Sequence, residues 1–445
     1  MKRFLFYIVS LFFCFSVYSQ KKFQFYGKNK TKQEVYFKLI NNLIVIPLEI
    51  NGHKLSFILD TGVNKTILFN LTENDSVGLN NVKKVSIRGL GNGDPVDALL
   101  SRGNNFRVKS IFSSNQDLYV ILKDAFNLSA KMGTTIHGII GYDLLKDVIV
   151  KINYRTKKII FYNPKNYKKS KCKKCEVFPL QFYRNKPYID VFTRIDTVNN
   201  VTTPVKLLID TGGSDAVWLF ENSKEIIKTP IKHFKDILGE GLSGTIYGNR
   251  SKIPHLSLGK FMIKEPTVSF LDSTSTFNAR RFKERNGSIG GDILKRFKVW
   301  IDYPNKKITL KKTSLLKNGF YYNMSGLHIV YEGQELVKLK VVNTGDAPYY
   351  GSNQDDNNVI SFVNTYHYNF KPRYKIDKVV KGSPAYKVGL KKDDIIKSIN
   401  GKPAYGFKLS EIVQIFRTKP NKKIVLKVKR GITDLKFEFK LKKRI

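Results

Sequence analysis

Two aspartates stand in the same short context. One reads Phe57-Ile58-Leu59-Asp60-Thr61-Gly62, the other Leu207-Leu208-Ile209-Asp210-Thr211-Gly212. A carboxylate at the end of a buried apolar strand costs free energy unless its oxygens are hydrogen-bonded. Glycine two positions on lets the chain turn sharply and offers an N–H with no side chain in the way. If two such loops meet, their carboxylates cannot both ionise and share one proton. One then acts as base on a water while the other gives a proton to a carbonyl. Such chemistry requires neither a metal nor an organic cofactor.

The elements around the two aspartates repeat. The first copy contains LIVIPLEINGHKLSFILDTGVNKTILF and, later, HGIIGYDLLKDVIVKINYRTKKIIFY; the second contains YIDVFTRIDTVNNVTTPVKLLIDTGGSDAVWLF and NGSIGGDILKRFKVWIDYPNKKITL. Asp60 precedes Gly138 by 78 residues, Asp210 precedes Gly287 by 77, and the aspartates are 150 apart. Matching order and spacing mark an internal duplication. Leu43–Ile50 and Lys54–Leu59, split by Asn51-Gly52, read as a hairpin. Its second-copy counterpart has a longer polar loop at 196–203. Val148–Ile152 with Lys158–Tyr162, and Lys298–Asp302 with Lys307–Leu310, read as two more hairpins. Short helical stretches are expected at Tyr142–Lys146 and Gly291–Lys295. Two β lobes should therefore be joined near residues 163–176.

On these residues, residues 40–312 resemble the aspartic peptidases of the pepsin and retropepsin type, in particular the bacterial retropepsin-like proteins. The resemblance implies a bilobal, mainly β acid-protease barrel fold with endopeptidase activity. It makes Asp60 and Asp210 the catalytic pair. Thr61 and Thr211 become the threonines that brace the loops, and Gly62 and Gly212 hydrogen-bond the carboxylates. Gly138-Ile139-Ile140-Gly141 and Gly287-Ser288-Ile289-Gly290 match the element that crosses behind each loop, with Ser288 in place of an apolar residue. The family covers its cleft with a hairpin flap. The segments Arg88–Pro95 (Gly89, Gly91, Gly93) and Gly239–Gly248 (Gly241, Gly244) fall where flaps would, and glycine permits their turns. Two features depart from the pattern. Val63 and Gly213 follow Asp-Thr-Gly where Ser, Thr or Ala is usual, and neither flap segment shows the pepsin tyrosine.

The C-terminal third changes pattern. Ser325-Gly326-Leu327-His328-Ile329 opens a strand, a polar insertion follows at 343–370, and YKIDKVVKGSPAYKVGLKKDDIIKSINGKPA begins at Tyr374. A helix is expected over Leu409–Arg417 and strands over Ile424–Lys429 and Leu435–Leu441. This order resembles a PDZ domain, an α+β fold that the resemblance implies binds peptide or protein C-termini by strand addition. Gly326, Leu327, His328 and Ile329 match its carboxylate-binding loop, with His328 where glycine is usual.

The 445 residues suit two or three domains, and 42% hydrophobic content excludes bulk disorder. A basic start and an apolar stretch from Phe4 to Val17, short for a membrane span, read as a cleaved signal peptide over 1–19, with an uncleaved anchor as the alternative. Export to the periplasm or cell envelope, or secretion, follows. Cys172 and Cys175 lack further ligands for zinc and read as a linker ornament, with a local disulfide as the alternative. The net charge of +42 is spread along the chain. It reads as a solvated lysine surface, with an anionic envelope surface next as a partner; no nucleic-acid motif is present. The domains are then 20–165 and 176–313 for the lobes and 318–445 for the PDZ-like part. The reading is an aspartic-type endopeptidase acting on peptide or protein substrates. The rival from another class is a non-catalytic envelope scaffold that only holds peptides.

Overall fold

In the hairpin Leu43–Ile50 and His53–Leu59, nearly every residue of the middle registers is buried, with Val45 opposite Ile58 and Leu48 opposite Leu55. Asn51 (φ 48°) and Gly52 (φ 91°) both adopt the left-handed conformation that a tight hairpin turn needs. The structure is a computed structural model and describes residues 21–27, 30–71, 77–91, 93–122, 128–168, 171–195, 201–341 and 365–445. The segment read as a signal peptide, the loop at 196–200 and most of the insertion at 343–370 lie outside the described residues.

The chain forms two compact units. One takes residues up to Leu128 with Thr134–Phe320 and Arg444–Ile445; the other takes Ser129–Gly133 with Tyr321–Lys443. Strand dominates both.

In the first unit each copy builds its own sheet. In the first copy, Gly138–Ile140 lies parallel to the strand that carries Asp60, with Ile139 opposite Ile58. In the second, Arg285–Ile289 lies parallel to Thr203–Ile209, with Ser288 opposite Leu208. A third, six-stranded sheet mixes the copies. Its central pair, Ile149–Asn153 and Phe297–Asp302, comes one from each copy, with Lys151 opposite Trp300. Apolar residues of both copies, such as Phe57, Val150, Leu207 and Val299, share one buried core. The duplicated sequence therefore folds as one body, because neither copy's central edge is satisfied without the other. Cys172 and Cys175 are joined by a disulfide.

The second unit is a sheet ordered Leu327–Val341, Thr365–Val379, Ile395–Ile399, Lys423–Arg430 and Thr433–Lys440. Helix Leu409–Ile415 covers it, burying Leu409 and Ile412 in a core with Ile376, Leu426 and Val428.

Candidate active site

Each Asp-bearing strand stops at its aspartate because the backbone there is claimed by the crossing segment. Asp60 N–H donates to the Ile140 carbonyl and Asp210 N–H to that of Ile289, both at 2.9 Å. The chain then turns back, and Gly62 N–H reaches Asp60 Oδ1 at 2.6 Å while Gly212 N–H reaches Asp210 Oδ1 at 3.0 Å. A Cβ on Gly141 would strike the Asp60 carbonyl, and one on Gly290 those of Asp215 and Gly213. Only glycine lets the crossing segments approach this closely.

The two loops lock together through their threonines, both fully buried. Thr61 N–H donates to Thr211 Oγ1 and Thr211 N–H to Thr61 Oγ1, each at 3.0 Å. Each hydroxyl donates in turn to a carbonyl of the opposite strand, Thr61 Oγ1 to Ile209 at 2.6 Å and Thr211 Oγ1 to Leu59 at 2.7 Å. Four reciprocal bonds thus fix residues 150 apart in sequence. A Cβ placed on Gly212 would collide with the Asp60 carboxyl, and one on Gly62 would lie 3.2 Å from Asp210 Oδ1. The carboxyls therefore lie side by side, each over the other loop's glycine. The Asp210 charge acts directly on Asp60.

This pairing sets their protonation. Burial pushes the Asp60 carboxyl up to about 7, with the Asp210 charge adding to the rise and the Gly62 amide and Lys186 opposing it. Burial also raises Asp210, against Arg285, Lys186 and the Gly212 and Gly213 amides. Just below neutral pH the pair holds a shared proton.

Two hairpin tips meet. The loop 88–95 joins Lys83–Ile87 to Val96–Val108, with Ile87 opposite Val96. The second hairpin pairs Phe234–Gly241 with Gly244–Lys252. Ser243 N–H donates to the Leu90 carbonyl at 2.9 Å, Gly93 N–H to the Ser243 carbonyl at 2.6 Å, and Gly89 N–H to Ser243 Oγ at 3.3 Å. A Cβ on Gly91 would strike the Ser243 carbonyl, and one on Gly241 would strike that of Leu90. Gly244, at φ 107°, makes the second tip's turn. All five flap glycines named from sequence sit in or beside this contact. The second hairpin is also tethered to the Asp210 loop. Arg250 donates to Asp215 Oδ2 and to Asp236 Oδ2, both at 2.8 Å, and Trp218 Nε1 donates to Asp215 at 2.9 Å.

Sequence reasoning passed over four contributors. Ser243 was hidden in a glycine-rich stretch. Tyr303 is buried beneath the first loop, its hydroxyl 3.5 Å from the Thr61 carbonyl and its ring against Phe182 and Tyr142. Lys186 and Arg285 are the other two. Aligning the copies exposes both, because each stands where the first copy has a buried apolar residue.

In the second unit, Gly326 takes φ 83°, and a Cβ there would strike the Ser383 side chain. The amides of the predicted carboxylate loop are partly engaged. Gly326 N–H donates to Asn323 Oδ1 at 3.3 Å and Leu327 N–H to Ser325 Oγ at 3.0 Å. Leu327 and Ile329 are buried in the core, and His328 pairs with Lys378 across the sheet. Leu327–Val341 is an outer strand: among the described residues, no strand pairs with its far edge.

Residues 46–144 match the family model for aspartyl proteases, and residues 375–430 match that for PDZ domains. The chain thus carries an aspartyl protease domain and a C-terminal PDZ domain. No curated protein matches it. The aspartyl protease match includes Asp60 and the crossing segment 138–141 but ends before Asp210.

Proposed function

We propose that this chain is an aspartic-type endopeptidase that hydrolyses peptide bonds between Asp60 and Asp210. The observation that carries this reading is the reciprocal Thr61–Thr211 lock, which holds two carboxyls side by side with one proton to share. In the resting pair one carboxyl is protonated and one ionised. The ionised one takes a proton from water as the water oxygen bonds to the substrate carbonyl carbon, and the protonated one gives its proton to the carbonyl oxygen. The pair is then reversed around a neutral gem-diol. As the C–N bond breaks, the nitrogen takes one proton from the newly protonated carboxyl and a diol hydroxyl returns one to the other. The pair ends as it began.

The meeting hairpin tips fit a cover that opens for an extended chain and then closes to exclude water. The outer strand Leu327–Val341 suits addition of a peptide strand, which would bring substrate to the protein. A terminal carboxylate there has to displace Ser325 Oγ from the Leu327 amide. The apolar N-terminal segment supports export, and the Cys172–Cys175 disulfide fits an oxidising envelope compartment.

The test is cleavage of an unstructured protein substrate by the full chain. Asp60→Asn and Asp210→Asn should each lower the rate by a factor of about a thousand. Undiminished cleavage by both variants contradicts the reading.

A further inference from the structure

The duplicated frame lets each position be compared with its twin. In the first copy, Val45 pairs with Ile58, and continuing that register by two residues, past the paired strands, reaches Leu43 and Asp60. In the second, Tyr188 pairs with Leu208, and the same step reaches Lys186 and Asp210. Both positions follow a tight turn with two left-handed residues, Asn41-Asn42 and Arg184-Asn185. Directly opposed residues on antiparallel strands project to the same face. Lys186 thus takes the place of buried Leu43 beside the pair, and its charge acts on both carboxyls, Asp60 as well as Asp210.

A second mismatch lies on the crossing segments. Two residues before each crossing glycine, the first copy has buried Ile136 and the second has Arg285, which is only 4% exposed. The Arg285 guanidinium is held between aromatic rings, 4.9 Å from the centroid of Phe220 and 5.9 Å from that of Tyr188, and its Nε donates to the Gly287 carbonyl at 3.2 Å. It makes no ion pair in that slot among the described residues, and Asp210 is the carboxyl that feels its charge. A buried cation is costly without a nearby anion, so its placement is informative.

Resting on the peptidase reading, we propose that Arg285 polarises the pair, while Lys186 supplies a cation that both carboxyls share. Arg285 holds Asp210 as the carboxylate that activates water and leaves the proton on Asp60, which donates it to the substrate carbonyl. The two cations are positioning residues. Asp210 feels both, with Arg285 its largest charge partner, whereas Asp60 feels Lys186 and the repulsion of Asp210. The other titratable groups coupled to the pair, Tyr303, Tyr188 and the Arg184 side chain beside Lys186, are not placed to reverse this order. Tyr303 and Tyr188 are neutral below their raised pKa values, and Arg184 adds positive charge on the second-copy side.

The experiment is a titration of Asp side-chain carboxyls by 13C NMR on the full chain, run beside peptide-cleavage profiles. In Asp60→Asn the remaining Asp210 should titrate lower than Asp60 does in Asp210→Asn. The reverse order, or equality, overturns the inference. Lys186→Leu, which copies the first lobe, should move both apparent pKa values of the pair up by about one unit. Lys186→Arg should restore the wild-type values. A folded Lys186→Leu protein with an unshifted titration overturns the shared role of Lys186; Arg285→Leu should narrow the gap between the two asparagine variants, whose order remains decisive if Arg285→Leu fails to fold. The titration needs no turnover, so the two claims separate. Cleavage without the predicted order of titration defeats only the polarity, and that order without cleavage defeats only the peptidase reading.

Discussion

Thr61 and Thr211 carry the geometry on which every chemical statement depends. Each hydroxyl accepts from one buried amide and donates to one buried carbonyl of the opposite loop. Replacing Thr61 with valine keeps the volume but strands the Thr211 N–H and the Ile209 carbonyl. Leaving buried polar groups unpaired costs about 1–3 kcal/mol each, so Thr61→Val should destabilise the chain by about 2–4 kcal/mol. Urea unfolding with an unchanged slope would register that loss. The Asp-Thr-Gly triplets, their apolar lead-in and the glycines behind them were legible as residues. The cations were legible only by aligning the two copies, because a lysine or arginine in a basic chain otherwise looks like surface.

At the scale of elements, the hairpins were legible because alternation and turn residues are local signals. The structure agrees with the expected strands 43–50, 158–162 and 298–302 to within a residue or two. The meeting of the two flap segments was not legible, since it joins Gly89–Gly93 to Ser243 across about 150 residues and depends on the twofold arrangement. Gly91 sits at φ 111° with the Ser243 carbonyl directly in the path of any Cβ. Gly91→Ala should therefore loosen the tip contact without touching the carboxyls. The expected result is KM raised roughly 3–10-fold with kcat little changed in steady-state cleavage.

For the whole molecule, the duplication predicted two lobes, but the six-stranded sheet built from both copies explains why they share one core. Calorimetry should resolve two transitions, one for each compact unit. Only the one for the larger unit should carry the Asp60 linkage. Asp60 is raised from an ordinary 3.8 to about 7 in the fold, so the folded state keeps a proton that the unfolded chain has released. That contribution is fully present below about pH 3.8 and is lost as pH rises through about 7. Asp60→Asn should flatten this slope, and at pH 8 its larger unit should melt higher than the wild type's.

The most direct test of the central claim is the pH profile of kcat/KM for peptide cleavage by the full chain, with Asp60→Asn and Asp210→Asn alongside. The account predicts a bell whose alkaline limb falls near pH 7, where the pair loses its shared proton, and no bell in either variant. Cleavage that is flat through pH 7, or that keeps its profile in both variants, would contradict it.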